Sequence, residues 1–379
     1  MKLRLNSPLP GWGRELQGTL DRRLPPPLRG RSGPILDVIV VLVALLLPRY
    51  LDAGAMQTAV NVGLYVLLAL GLNVVVGFAG LLDLGYIAFY AIGAYLYAFL
   101  ASPQFGLHWP FLVILPIAAI VAAIFGVSFG APTLRLRGDY LAIVTLGFGE
   151  IIQIVANNAM ALTNGPQGVS ALDYPNIFGY QFDVNSTPQY YYLLAALCAI
   201  VIFCVSRLQA SRIGRAWAAI REDEDAARAV GIDTVRMKLL AFAIGAMIGG
   251  LAGPVFAASQ SYISPVSFSL DQSILVLAMV VLGGMGSIRG VIVGATILVV
   301  VPEYLREYAA ARFIVVGMIM VVLMIVRPGG LLPSRSRSSD MRAAGRAAGM
   351  STSDEKDTAE GASARISEER AGVATGRDS

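Results

Sequence analysis

The sequence predicts an all-α, polytopic membrane protein, built as a bundle of about ten transmembrane helices. Of its 379 residues, 56% are hydrophobic and only 14% are charged, whereas soluble globular domains carry about 25% charged residues. Several apolar stretches also approach the roughly 20 residues that a helix needs to cross a bilayer. Composition and segment length together argue against a soluble globular protein.

The chain begins and ends with polar segments that lack apolar periodicity. Residues 1–33 are basic and contain three consecutive prolines, and residues 334–379 are rich in Ser, Arg, Ala, Gly and Glu. Such compositions cannot bury enough apolar surface to fold, so we expect disordered tails on either side of a membrane domain at 34–333. The ten predicted spans are 34–52, 57–77, 83–101, 110–131, 139–160, 189–206, 238–260, 270–284, 288–305 and 311–327.

The first predicted span, residues 34–52, has a signal peptide as its alternative. Its apolar run from Ile35 to Leu47 is short, contains Asp37, and precedes Ala53-Gly54-Ala55, which resembles a cleavage site. However, the basic region before it is about 30 residues long, much longer than in ordinary signal sequences. An uncleaved membrane span is therefore favoured.

The distribution of Lys and Arg predicts the orientation of the spans. With ten spans and a cytoplasmic N-terminus, the cytoplasmic segments hold 26 of the 29 Lys and Arg residues, and the outer segments hold 3. Because loops rich in Lys and Arg stay in the cytoplasm, both tails and the loop 207–238 are expected on that side.

Residues 212–238, called the charged island below, form a dense polar stretch between two apolar spans. We predict a single helix from Ala216 to about Val230, because Gly231 is a typical C-terminal stop. Spacings of three and seven give it one apolar stripe, formed by Trp217, Ile220, Ala227 and Val230. The solvated remainder consists of Arg221, Glu222, Asp223, Glu224, Asp225 and Arg228.

A charged helix of this length has no place in lipid, which leaves two interpretations of the island. It is either a solvated helix on a cytoplasmic loop or the docking site for a soluble partner. Small Ala226 and Ala227 would permit close approach of a partner surface, which favours docking. The candidate docking residues are Arg215, Trp217, Ile220, Arg221, Glu222, Glu224, Asp225, Ala226, Ala227 and Gly231.

The predicted span 139–160 carries a polar face. Counting from the cytoplasmic end, Glu150 lies eleven residues in, roughly 16 Å at 1.5 Å per residue, which is about half of a ~30 Å hydrocarbon layer. A carboxylate at this depth costs about 2.5–3.5 kcal/mol or more, so it should face the bundle interior or an aqueous cavity. Gln153 and Asn157 share its helical face, and Gly147 extends it.

Two interpretations of this polar face remain open. It could line a translocation pathway, where Glu150 meets the ammonium group of a solute, or it could hydrogen-bond neighbouring helices together. The acid favours the pathway, since Ser or Thr would suffice for a structural strip. Asn73, in the predicted span 57–77, is a lesser candidate for either role.

Glycine patterns indicate close helix packing and one tight turn. Glycine at every fourth residue clears one helix face for contact, and two such ladders are Gly245, Gly249, Gly253 and Gly286, Gly290, Gly294.

The outer segment Asn164, Gly165, Pro166 and Gly168 has turn composition. It is either a structural turn or a contact for an external binding protein or gate, and both interpretations stay open.

Residues for chemistry or cofactor binding are sparse. The sequence contains no Gly-x-x-x-x-Gly-Lys-Ser/Thr loop, so any ATP and Mg²⁺ would be bound by another chain. Cys198 and Cys204 are too far apart on one helix to pair and too few for a metal cluster. The single histidine, His108, beside Trp109, is expected at the membrane interface. We therefore predict neither an enzyme nor a metal site.

Long uninterrupted strings give the chain a close resemblance to a known family. These strings are Leu70–Leu82, Gly85–Tyr95, Leu134–Glu150, Gly214–Glu224, Val281–Ser287 and Arg327–Pro333. They resemble the LivM-type permeases of branched-chain amino acid ABC importers, over about residues 57–333. The spacing of Asp225-Ala226-Ala227-x-x-x-Gly231 is similar to the Glu-Ala-Ala-x-x-x-Gly loop of ABC importer permeases. Asp83 departs from the family, which has a small or apolar residue there, and Leu172–Pro188 is not recognisable.

This resemblance implies a permease of the bacterial inner membrane with a fold related to vitamin-importer permeases. It also implies a heterodimer with a LivH-type permease, two ATPase subunits that grip the island helix, and an external solute-binding protein. Nucleic acid is not an expected partner. The implied solutes are leucine, isoleucine and valine, with other amino acids, amides or urea in some relatives. A simple-sugar permease, or a secondary transporter that uses Glu150 as an ion site, remains the alternative.

Overall fold

The computed structural model describes residues 47–49, 52–134, 139–177, 180–182 and 187–306, with 317, 318, 320, 321, 325 and 329–332. Both predicted tails, almost all of the predicted span 34–52 and most of the predicted span 311–327 lie outside the described residues.

α-Helices form almost all of the regular structure. The first, α1 (Ala53–Leu72), continues directly into a π-helical stretch, Asn73–Phe78, called the π segment below. The other helices are α2 (Ile87–Leu100), α3 (Phe111–Thr133), α4 (Asp139–Asn158), α5 (Met160–Thr163), α6 (Thr187–Ala210), α7 (Arg212–Glu222), α8 (Glu224–Ala229), α9 (Thr234–Gln260), α10 (Leu270–Gly283) and α11 (Ile288–Tyr304). Short 3-10 turns lie at Leu47–Arg49, Gly165–Gln167 and Pro265–Phe268.

Eight of the ten predicted spans correspond to described helices. Among the described residues, six helical stretches are long and apolar enough to cross a membrane: Ala53–Phe78, Phe111–Thr133, Tyr140–Asn158, Thr187–Ala210, Thr234–Gln260 and Pro265–Gly283. Helices α2 and α11 are shorter, with 14 and 17 residues. The chain is therefore a multi-pass helical membrane protein.

Helix α2 begins four residues later than the predicted span 83–101. Residues 79–86 are irregular, because Gly80 has a positive φ of 73° and Asp83 Oδ1 accepts a 2.9 Å hydrogen bond from the Gly85 nitrogen. Such a local side-chain bond offers the backbone an alternative to helix. Asp83 is only 2% exposed, so this residue, which the sequence singled out as a departure, is packed inside the protein.

Helix α9 lies at the centre of the described bundle, against α1, α2 and α3. Its glycines allow this contact: a Cβ on Gly245 would lie 2.5 Å from Val75 Cγ2, and one on Gly253 would lie 2.5 Å from the Gly93 carbonyl carbon. Small residues at such crossings let helix backbones approach closely. Ala246, Ala252, Val255 and Ala257, also on α9, are fully buried.

The two ends of the bundle differ in character. One end, called the island end, carries α7 and α8, the loop 79–86 and the loop 284–287. The other, called the opposite end, carries two short antiparallel pairings. There β1 (Val169–Ser170) pairs with β4 (Tyr262–Ile263), and β2 (Asn176–Ile177) pairs with β3 (Tyr180–Gln181).

A short stretch near the C-terminus returns to the island end. The nitrogens of Leu331 and Leu332 donate hydrogen bonds to the carbonyls of Leu282 and Gly283, at 2.9 and 3.1 Å. These bonds satisfy the last carbonyls of α10, which have no partner within their own helix.

Candidate functional site

The charged island forms two helices rather than the single helix predicted from Ala216 to Val230. Helix α7 ends at Glu222 and α8 begins at Glu224. Between them, the extended residue Asp223 accepts hydrogen bonds from the nitrogens of Asp225 and Ala226, both at 2.9 Å. An Asp at this position caps a new helix, so Asp223 interrupts the run of good helix formers. Gly231, with φ 87°, follows α8 as the predicted stop.

The apolar stripe of the island packs against the protein's own bundle. Trp217, Ile220 and Ala227 are buried at 0%, 5% and 3% exposure, whereas Val230 is 78% exposed and does not belong to the stripe. Trp217 Nε1 also donates a 2.7 Å hydrogen bond to the carbonyl of Met237 on α9. The stripe therefore anchors the island instead of offering a surface to a partner.

An ion-pair network joins α8 to α9. Lys238 Nζ lies 2.6 Å from Glu224 Oε2, and Arg228 Nη2 lies 3.2 Å from Glu224 Oε1. Lys238 is buried, so its ammonium group has little contact with solvent and pairs with Glu224 instead. The sequence assigned Glu224 to the solvated set, but its side chain is only 24% exposed and is held within the chain.

Arg221 also departs from its predicted solvated position. Its side chain is half-buried, and its guanidinium Nη1 donates a hydrogen bond to the carbonyl of Gly77 in the π segment. The residue therefore faces the bundle interior.

The outward face of the island keeps a mixed set of charges. Arg215, Glu222, Asp225, Ala226 and Gly231 are exposed. Of the predicted docking residues, these five are the exposed ones, whereas Arg221 and Glu224 are half-buried.

The polar face of α4 lies at the border of an exposed helix surface. Glu150 and Gln153 are half-buried, and Asn157 is exposed. A Cβ added to Gly147 would meet no atom within 4 Å. The same helix exposes a set of apolar side chains: Tyr140, Ile143, Val144, Ile151, Ile154 and Val155.

The residues of the predicted pathway are not gathered at one place. Gln153 Nε2 donates a 3.2 Å hydrogen bond to the Pro265 carbonyl, which is a structural contact within the chain. Asn73 is fully buried at the island end, where its Oδ1 accepts a 2.8 Å hydrogen bond from the Gly286 nitrogen. Glu150 and Gly147 thus remain together on α4, while Asn73 belongs to a different cluster.

The outer segment 164–168 folds as a tight turn. Asn164 and Gly165 have positive φ angles of 58° and 57°, and Asn164 Nδ2 donates a 3.1 Å hydrogen bond to the Gly168 carbonyl. Pro166 is exposed, whereas Gly165 and Gly168 are buried. These contacts support the structural interpretation of the turn, and a role in binding a partner remains a prediction.

A cavity of about 650 Å³ lies at the opposite end, away from the island and from Glu150. His108 and Asp173 line it, with Nδ1 and Oδ2 2.5 Å apart. The sequence placed His108 at the interface but did not predict this partner. Within the described residues, no three His, Cys, Asp or Glu side chains are grouped so that they could hold a metal ion.

The two glycine ladders differ in their surroundings. Gly286 lies in the loop before α11 with φ 84°, next to Gly77 and Arg221, and not on the helix as the ladder implied. Gly294 does lie on α11, and a Cβ added to it would be 2.9 Å from the Cα of Gly283 on α10. Sequence reasoning assigned no individual role to Gly77, Gly80 or Lys238, although Gly77 and Gly80 contact Arg221 and Lys238 pairs with Glu224.

Comparison with known families gives one match across most of the chain. The sequence profile of the family described as "Branched-chain amino acid transport system / permease component" matches residues 54–326. No solved structure matches the chain.

Curated proteins extend this similarity. The high-affinity branched-chain amino acid transport system permease protein LivM of Salmonella typhimurium is 44% identical over 315 residues, which cover 78% of this chain and 73% of that protein. LivM of Escherichia coli K12 is 44% identical over 317 residues, covering 78% and 74%. The permease protein LivH of Salmonella typhimurium is 26% identical over 284 residues, covering 71% and 91%.

Proposed function

The chain belongs to the branched-chain amino acid transport system permease family, and on this premise we propose that it is the LivM-type permease subunit of an ATP-driven importer. Its solutes are then leucine, isoleucine and valine. The identity of 44% to two LivM proteins, over more than three quarters of the chain, carries this proposal. The chain supplies the conduit, and separate subunits hydrolyse ATP.

A LivH-type permease is the proposed partner within the membrane, placed against α4. Lipid would cover the apolar residues of this helix without cost, but it cannot solvate the carboxylate of Glu150. A Glu at the border of an exposed face therefore favours a protein or aqueous neighbour over lipid. The open space at Gly147 leaves room for a close approach. On this proposal, Gly147, Glu150 and Asn157 line the pathway between the two permeases.

The exposed face of the island is the proposed contact for the ATPase subunits. Its inward face is anchored by Trp217, Ile220 and Ala227, so an ATPase would grip the outward residues Glu222 and Asp225. This arrangement places the island end in the cytoplasm, in agreement with the excess of Lys and Arg there. An external solute-binding protein would then meet the opposite end.

Reconstituted uptake tests the proposal. The permease pair is placed in liposomes with and without the ATPase subunits and the binding protein, and entry of labelled leucine or of a labelled simple sugar is followed. Leucine uptake that requires ATP and the ATPases, and that continues when ionophores collapse ion gradients, supports the importer. Uptake driven by an ion gradient without ATPases would instead identify a secondary transporter, and preferential sugar uptake would identify a sugar permease.

A further inference from the structure

Arg221 connects the island to the π segment at the end of α1. It is the penultimate residue of α7, and its guanidinium donates to the Gly77 carbonyl. A charged donor in a half-buried site makes a stronger hydrogen bond than a neutral donor in water. Any displacement of α7 would therefore pull directly on the backbone of the π segment.

Glycines form the slot that receives this arginine. A Cβ on Gly80 would lie 2.8 Å from Arg221 Cγ, and one on Gly286 would lie 3.1 Å from Arg221 Nη1. Both glycines have positive φ angles, of 73° and 84°, which other residues adopt only with strain. The backbone at this point is thus shaped around the Arg221 side chain.

The loop 284–287 is held in the same cluster. Asn73, the first residue of the π segment, accepts from the Gly286 nitrogen at 2.8 Å, and Gln209 Nε2 donates to the Gly286 carbonyl at 3.4 Å. The π segment, the loop before α11 and the island therefore meet at one point.

The island can act on this cluster as a unit because α7 is fixed to its neighbours. Trp217 joins α7 to α9 through its bond to Met237, and Asp223 joins α7 to α8 as a cap. π-Helical turns inside longer helices recur at functional sites, where the helix geometry is interrupted. The π segment is thus the part of α1 that is suited to change shape when the island is displaced.

We propose that Arg221 is a positioning residue that transmits motion of the island into the π segment, and through it into the transmembrane bundle. This inference rests on the proposed function, because it requires an ATPase to displace the island. Arg221 then couples ATP hydrolysis to solute movement and does not itself hold the ATPase.

The test compares uptake and ATP hydrolysis in the same proteoliposomes, with the complete complex. Arg221→Gln should keep ATPase binding and hydrolysis but lower the solute moved per ATP by about fivefold or more, the lower end of typical coupling between sites. Arg221→Lys, which keeps the charge, should recover part of this ratio. The matched control is Arg306→Gln, because Arg306 lies outside the island and has a 76% exposed side chain paired at the surface with Glu303, and it should leave the ratio unchanged.

A second variant keeps the inference falsifiable if Arg221→Gln does not fold. Gly80→Ala keeps Arg221 but adds a Cβ that would press on the Arg221 side chain, so it should also lower the solute moved per ATP. An unchanged ratio in either folded variant overturns the inference. Loss of ATPase co-purification in Arg221→Gln overturns it too, since the residue would then act in docking. If the unaltered complex shows no ATP-dependent uptake, the proposed function itself fails.

Discussion

The ammonium group of Lys238, near the start of α9, lies 2.6 Å from the carboxylate of Glu224 on α8. The lysine is buried, and its partner is largely shielded. Removing one member of such a pair leaves the other charge without compensation. This pair therefore contributes to holding the island against the transmembrane bundle.

Glu224→Gln should destabilise the protein. We expect a loss of about 1–3 kcal/mol, because the buried ammonium group of Lys238 would lose its charged acceptor. The midpoint of unfolding of the purified permease in detergent measures the effect. Arg236→Gln is the control, since an exposed ion pair is worth about 0–1 kcal/mol. Equal effects of the two substitutions would mean that the Lys238–Glu224 pair is solvated.

Glu222→Lys should weaken ATPase binding without unfolding the island. Glu222 is exposed at the end of α7, and reversing a charge at a protein interface brings like charges together. We expect the affinity for the ATPase to fall by on the order of tenfold, equivalent to about 1.4 kcal/mol. Titration of purified ATPase onto the immobilised permease complex provides the measurement. Glu303→Lys reverses an exposed charge in the last turn of α11, outside the island, and should leave this affinity intact.

Glu150→Gln should impair uptake while preserving assembly. If the carboxylate contacts the ammonium group of the solute, its loss removes a charge-assisted hydrogen bond of about 1.5 kcal/mol, a reduction on the order of tenfold. Initial rates of leucine uptake are compared with those of Ile151→Ala, a neighbouring change on the exposed face of α4. Normal uptake by Glu150→Gln would assign this residue a structural role.

Gly147→Leu should affect the assembly of the permease pair but not the folding of this chain. Because the position is open within the chain, the unfolding midpoint should change little, while a Leu would obstruct a second permease and reduce co-purification. Gly253→Ala gives the opposite pattern: its added Cβ would meet the Gly93 backbone, and overpacking of this kind costs about 1–3 kcal/mol. Unaltered assembly of Gly147→Leu would place the partner elsewhere.

The sequence predicted most of the helical architecture, because a run of apolar residues as long as a membrane span can be recognised from the sequence alone. The predicted segments 110–131 and 270–284, for example, agree with α3 and α10 within two residues at each end. The start of α2 differed because a local hydrogen bond of Asp83 to Gly85 outweighs the apolar pattern. The island was correctly predicted as helical, but its division depends on a single cap at Asp223.

The candidate site was less predictable, because it depends on which way each side chain points. Charge alone placed Arg221 and Glu224 in solvent. The partner of Arg221, the Gly77 carbonyl, is distant in the sequence, and the partner of Glu224, Lys238, lies on another helix. Periodicity grouped Glu150 with Gln153, but could not reveal that Gln153 bonds to Pro265. Such pairings arise only when separate spans are packed together.

The hydrogen bonds from Leu331 and Leu332 to the end of α10 have a practical consequence for shortened versions of this protein. A truncation before residue 329 would remove the two nitrogen donors that bond to the last carbonyls of α10, beside the slot that receives Arg221. A truncation after residue 332 would leave both hydrogen bonds in place. Affinity tags and fluorescent fusions therefore belong beyond that position, with a linker long enough to leave these two amides undisturbed.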